Sequence, residues 1–64
     1  MEVFIEASNQ QKKIKFTGTV SQLLEKLKIN SETVIVAKNN ELVTEEEKLT
    51  NADDIKLLSV ISGG

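Results

Sequence analysis

Residues 13–27 read KIKFTGTVSQLLEKL, and the spacing of apolar residues changes partway along this stretch. In its first part, Ile14 and Phe16 alternate with lysines, and a period of two is typical of a half-buried strand. A break follows at Thr17 and Gly18. Beyond the break, leucines recur three and four positions apart, which places them on one face of a helix. The stretch therefore predicts a strand that leads into a helix.

The start of the predicted helix carries a capping box. Thr19 and Gln22 are three positions apart, so each side chain can accept a hydrogen bond from the other residue's backbone amide. The apolar residues that follow at helical spacing are Val20, Leu23, Leu24 and Leu27. We expect the helix to run to about Lys28 and to end near Asn30.

The chain before this stretch predicts the other strand of a hairpin. Residues 1–6 read MEVFIE, in which Val3 and Ile5 alternate with glutamates. The polar residues 8–11 are expected to turn the chain, so that residues 13–16 return beside the first strand. A hairpin therefore precedes the helix.

A second hairpin is predicted after the helix. Residues 33–37 are mostly β-branched and apolar, as expected of a central strand. Asn39 and Asn40 tolerate positive φ and suit a tight turn. The turn leads into a short strand at residues 41–43.

The rest of the chain completes the predicted fold. The acidic stretch after Thr44 is a polar connection, and Leu49 is its expected anchor in the core. A turn at residues 51–54 precedes the last strand, at residues 55–61. This order predicts one α+β domain over residues 1–64, a roll in which one helix packs across a mixed sheet of four to five strands. A crossover through the helix also suits the right-handed preference.

Composition excludes several kinds of site. The 64 residues contain no cysteine and no histidine, which excludes a disulfide and removes the commonest metal ligands. Oxygen-ligated cations stay possible, but no D-x-[DN]-x-[DN]-G loop is present, so we expect no bound metal. The net charge is −2, and the only aromatic residues are two phenylalanines, so we expect no direct binding to nucleic acid. No apolar run approaches the length of a membrane span. The missing cysteine fits a reducing cytoplasm, where we expect a monomer.

The chain ends on Gly63 and Gly64, directly after an apolar strand pattern. Glycines lack a Cβ, so such a tail is free in φ and ψ, thin enough for a narrow active site, and offers its own carboxylate. A carboxylate is a poor electrophile and needs activation, for example as an acyl-adenylate. Two terminal glycines also arise by chance in about one chain in 200, and a trimmed chain would end the same way.

Together, these pieces resemble the ubiquitin-like proteins with the β-grasp fold, and the resemblance covers essentially the whole chain. The segments that carry it are MEVFIE, TVSQLLEKL, TVIVAKNNELV and NADDIKLLSVISGG. The chain looks most like the short sulfur carriers and modifiers: the ThiS and MoaD types, the ubiquitin-related modifier and the small archaeal modifier proteins. Many of these relatives have a Gly-Asp turn where this chain has residues 51–54.

The resemblance implies a function for the tail. In these families an E1-like enzyme consumes ATP to adenylate the terminal carboxylate, here that of Gly64, while Gly63 keeps the tail thin. A sulfur donor then forms a thiocarboxylate, or a target lysine captures the tail as an isopeptide. The thiocarboxylate would supply an acceptor enzyme in thiamine thiazole synthesis, tRNA 2-thiolation or molybdopterin synthesis. The domain would catalyse nothing and bind no cofactor, and its tail is expected to be flexible from about residue 62.

Strand alternation predicts an apolar patch on the side of the sheet that faces away from the helix. If Ile55 and Leu57 face the core, their neighbours face the other way, and the same rule applies to the first and third strands. The predicted patch consists of Phe4, Ile35, Leu58 and Val60. In ubiquitin-like proteins, activating enzymes dock on this face. Scattered surface aliphatics are also normal, and a register error of one residue would invert the assignment.

The other polar groups have structural interpretations. Asp53 and Asp54, like the acids at residues 45–47, are not expected to form an acid–base pair or a cation site, because adjacent carboxylates point apart. We expect them to be solvated. Ser59 and Ser62 have no evident base, so we expect no catalytic site. Three lysines are candidate acceptors for the tail of a second copy, although surface lysines are commonplace: Lys12, Lys13 and Lys38.

Two classes of function remain open at the level of sequence. The first is a carrier or modifier whose tail is activated. The alternative is a non-activated β-grasp module that only docks on protein partners. An enzyme is disfavoured because histidine and cysteine are absent.

Overall fold

The computed structural model describes residues 1–60. Along this part of the chain run seven strands and an α-helix: β1 (Glu2–Ile5), β2 (Gln10–Lys13), β3 (Gly18–Thr19), α1 (Val20–Leu27), β4 (Val34–Lys38), β5 (Glu41–Val43), β6 (Lys48–Leu49) and β7 (Asp54–Ser59). Short 3-10 turns at Glu6–Ser8 and Ser31–Thr33 follow β1 and precede β4.

The main sheet has five strands in the order β2-β1-β7-β4-β5. Only the central β1–β7 pair is parallel, and in it Ile5 lies beside Leu57. The predicted mixed sheet and α+β class are therefore confirmed. A second, two-stranded sheet of β3 and β6, in which Gly18 pairs with Leu49, was not predicted.

The core lies between α1 and one face of the main sheet. Its members are Met1, Val3, Val20, Leu23, Leu24, Val36, Leu49, Ile55 and Leu57. Every helical position predicted to be apolar and inward is in this core except Leu27, which is half-buried against it. Leu49 is buried as predicted, and the β3–β6 pair holds it in place.

The capping box at the start of α1 forms as predicted. The Gln22 amide donates to Thr19 Oγ1 at 3.2 Å, and the Thr19 amide donates to Gln22 Oε1 at 3.0 Å. Gly18 has a φ of 151°, and a Cβ there would meet the Gln22 side chain, so a substitution would strain the backbone and disturb the capping box. At the other end, Lys28 is left-handed with a φ of 58° and ends the helix as expected.

The second strand begins earlier than predicted. The prediction placed it at residues 13–16, but β2 is Gln10–Lys13 because the 3-10 turn and a left-handed Asn9 reverse the chain within a few residues. Ile14 and Phe16 instead lie beyond the strand and pack against the core, and the Ile14 amide donates to the Met1 carbonyl at 2.9 Å. Their alternation thus reflects contact with the core beyond the last paired residue of β2.

The turn before β7 buries a carboxylate that was expected to be solvated. Asp53 is only 9% exposed, whereas Asp54 is exposed. Asp53 accepts hydrogen bonds from the Thr50 amide at 2.8 Å and from Asn39 Nδ2 at 3.1 Å, and Lys38 Nζ lies 4.0 Å away. The expectation was wrong for Asp53 because the turn folds inward over Asn39.

These contacts hold the pKa of Asp53 below its ordinary value, chiefly through the hydrogen bond from the Thr50 amide. The ionised form is therefore favoured by folding. Its contribution to stability is complete above the pKa of the unfolded chain, about 3.9, and is lost as the pH falls through the lower pKa of the folded protein.

We therefore expect the free energy of unfolding to fall less for Asp53→Asn than for the wild-type chain as the pH is lowered from about 5 to about 2. Denaturation midpoints across this range measure the difference. Asp54→Asn, which removes the neighbouring exposed carboxylate, is the matched control and is expected to follow the wild-type pH dependence. Parallel pH profiles for Asp53→Asn and the wild-type chain would contradict the assignment.

Candidate functional site

The face of the main sheet opposite α1 is open, and strand alternation places the predicted patch residues on it. Phe4 lies beside Lys56, and Ile35 lies opposite Leu58, in pairs that alternate with the buried pairs of the core face. Val60 follows β7 with the same parity as Leu58. The structure therefore brings all four residues to one side of the sheet.

These residues differ in exposure. Ile35 is 43% exposed and Val60 is 44% exposed. Phe4 and Leu58 are half-buried rather than fully exposed. An apolar surface formed by Ile35, Leu58 and Val60 thus lies beside the point where the chain leaves β7.

Leu42 is a further apolar residue on the open face that the sequence analysis missed. It is 70% exposed and lies opposite Ala37, which has the same parity as Ile35. The signal was present in the sequence, because the two-residue turn at Asn39 and Asn40 fixes the register of β5. Both asparagines have positive φ, of 50° and 71°, as such a turn requires.

The opposite end of the open face is polar. A shallow depression of about 460 Å³ is lined there by Glu2, Phe4, Gln11, Asn40, Asp54, Ile55 and Lys56. Lys56 Nζ donates to Asn40 Oδ1 at 3.4 Å, and Gln11 Nε2 donates to Glu2 Oε2. The open face therefore changes from polar, near the start of β7, to apolar, near its end.

Hydrogen bonds on both sides of β7 hold its end. The Val60 amide donates to the Thr33 carbonyl at 3.1 Å on the side of β4. The Ser59 amide donates to Glu6 Oε1 at 2.9 Å. The predicted activation residues Gly63 and Gly64, with the tail predicted to be flexible from about residue 62, lie outside the described residues.

Within residues 1–60, no group of acidic residues is arranged to hold a metal ion, and the α-helix is too short to cross a membrane. Ser62 lies outside this range. Lys12 and Lys13 are exposed on the edge strand β2, whereas the Lys38 ammonium is bound to Glu47 Oε2 at 3.0 Å, which raises the pKa of Lys38.

The chain is similar to known proteins over nearly its whole length. Residues 3–64 match the model of the ThiS family. A curated relative, the sulfur carrier protein TtuB of Thermus thermophilus, is 35% identical over 57 residues, which cover 86% of this chain and 88% of that protein. The structure also aligns with the crystal structure of the thiamine biosynthesis protein ThiS from Geobacter metallireducens, over 100% of each chain. The TM-score is 0.67 and the sequence identity is 21%, which shows a shared fold.

Proposed function

The chain belongs to the ThiS family of small sulfur carriers, which are not themselves enzymes, and we propose that it carries sulfur as a thiocarboxylate on Gly64. The observation that carries this proposal is the extent of the family match, which runs from residue 3 through Gly63 and Gly64. The Gly-Gly ending is thus part of the similarity and not an addition to it.

The proposed reaction has two steps. The Gly64 carboxylate attacks the α-phosphate of ATP and forms an acyl-adenylate with release of pyrophosphate. Sulfide (HS⁻) released by a donor then attacks the acyl carbon, the bond between that carbon and the phosphate oxygen breaks so that AMP leaves, and loss of the sulfur-bound proton gives the thiocarboxylate. Gly63 has no Cβ, so the tail is thin enough for the terminal carboxylate to approach the nucleotide.

Sulfur carriers of this kind interact with E1-like activating enzymes and with sulfur-acceptor enzymes. We place the activating enzyme on the open face, against the apolar surface of Ile35, Leu58 and Val60. Two observations support this placement: these residues lie at the end of β7 or opposite it on β4, and Ile35 and Val60 are exposed to an extent that suits a partner site. A partner there is close to the tail that it must accept.

We further propose that the protein acts as a monomer in the cytoplasm, without a bound cofactor. The thiocarboxylate serves thiamine thiazole synthesis, tRNA 2-thiolation or molybdopterin synthesis, and transfer assays with each acceptor enzyme distinguish these products. Capture of the activated tail by a lysine of a target protein is the second outcome of the same adenylate. A β-grasp module that docks without activation is the alternative function.

Mass spectrometry of the protein purified from its native cell tests the proposal. Replacement of one oxygen by sulfur is expected to add about 16 Da, and conjugation instead adds the mass of a partner. Oxidation of Met1 gives nearly the same shift as sulfur, so fragmentation must localise the added mass to the C-terminal residues. A chain that remains unmodified after incubation with its activating enzyme, ATP and a sulfur donor would favour the docking module.

A further inference from the structure

The backbone amide of Ser59 points toward β1, because amide directions alternate along β7. The Val60 amide donates to Thr33 on the opposite side, toward β4. On the β1 side, the carbonyl of Asp53, six residues before Ser59, accepts from the Glu2 amide at 3.4 Å. Ser59 therefore presents its amide where β1 would continue, at a position at which a parallel strand normally supplies a carbonyl.

A side chain occupies this position because β1 has already ended. The last paired residue of β1 is Ile5, beside Leu57, and the chain then enters the 3-10 turn. The carbonyl of Glu6 accepts from the Asn9 amide at 3.1 Å within that turn. Instead, the Glu6 carboxylate accepts from the Ser59 amide at 2.9 Å, which extends the ladder one step beyond the strand.

We propose that Glu6 is a positioning residue for activation of the tail, an inference that rests on the proposed function. Glu6 on one side and Thr33 on the other hold Ser59 and Val60, the last two described residues. Four residues then remain up to Gly64, and they span at most about 14 Å. The anchored end of β7 fixes the point from which this short segment starts.

Loss of the anchor should weaken productive binding more than turnover. Without the carboxylate, the end of β7 is still paired with β4 through Ser59 and Val60 but is no longer held by Glu6 on the β1 side, so the activating enzyme must restrain it further when it takes the tail. The entropic cost is at most about that of one residue, which corresponds to a KM for the carrier in ATP–pyrophosphate exchange that is raised several-fold and by at most about thirtyfold. The kcat is expected to stay near that of the wild-type chain, because the bound carboxylate reaches the same position.

Three variants test the proposal: Glu6→Ala, Glu6→Gln and Glu46→Ala. Glu6→Ala is expected to speed hydrogen exchange of the Ser59 amide about tenfold and to raise KM as above. Glu6→Gln is expected to restore both values, because its amide oxygen still accepts a hydrogen bond. Glu46→Ala removes an exposed glutamate of the turn between β5 and β6 and is expected to leave both values unchanged.

Two results would overturn this role of Glu6. One is a Glu6→Ala variant with the wild-type KM, and the other is a Glu6→Gln variant as impaired as Glu6→Ala, which would point to charge and not to the acceptor. If the wild-type chain supports no pyrophosphate exchange with its activating enzyme, the proposed function fails and takes this role with it. Hydrogen exchange at Ser59 still reports separately whether Glu6 anchors the strand.

Discussion

Replacement of Leu57 by alanine is expected to lower the free energy of unfolding by about 2 to 5 kcal/mol. Leu57 is completely buried, and β7 places it between Ile5 of β1 and Val36 of β4, on the face of the sheet that packs against the helix. Alanine would leave a cavity at the centre of the core, which such a small domain cannot readily refill. Cores of this size rarely supply more than about 3 to 5 kcal/mol in total, so the variant is expected to be largely unfolded.

Leu42→Ala is the matched control, because it makes the same change at a leucine that is 70% exposed. Its unfolding free energy is expected to stay within about 0.5 kcal/mol of the wild-type value. Urea denaturation of the three proteins measures both effects. Equal midpoints for Leu57→Ala and Leu42→Ala would show that Leu57 is not a core residue.

The sequence predicted the core because its main elements each show a clear apolar period. Alternation correctly assigned Val3, Ile55 and Leu57 to the helix side of the sheet, and helical spacing assigned Leu23 and Leu24. The same alternation placed Ile35 and Val60 on the open face. Period and parity are local properties of the chain, so they can be detected without knowledge of the tertiary contacts.

The features that were missed depend on contacts between residues far apart in the chain. Asp53 is held partly by Asn39, from the turn after β4, and the anchor at Ser59 requires Glu6, which is 53 residues away. The position of β2 was wrong for a related reason, because Ile14 contacts the core without belonging to a strand. No local pattern distinguishes these polar and irregular contacts from ordinary solvated residues.

Docking on the open face and activation of the tail are expected to fail separately in two variants, Leu58→Glu and a chain that lacks Gly64. Leu58 lies opposite Ile35 and beside the end of β7. A carboxylate there would be desolvated without a partner when the activating enzyme docks, so we expect binding to weaken by about 2 to 4 kcal/mol. Gln10→Glu, which adds the same charge at an exposed site on β2, is expected to bind like the wild-type chain.

The chain without Gly64 is expected to bind the activating enzyme with wild-type affinity but to lose ATP–pyrophosphate exchange by more than about 100-fold. Its carboxylate would stop about 3.5 Å short of the reacting position, and a displacement of even about 1 Å can cost 100-fold in rate. A direct binding assay beside the exchange assay separates the two steps. If the truncated chain supports exchange as well as the intact one, Gly64 does not carry the sulfur, and the docking module becomes the better account of this protein.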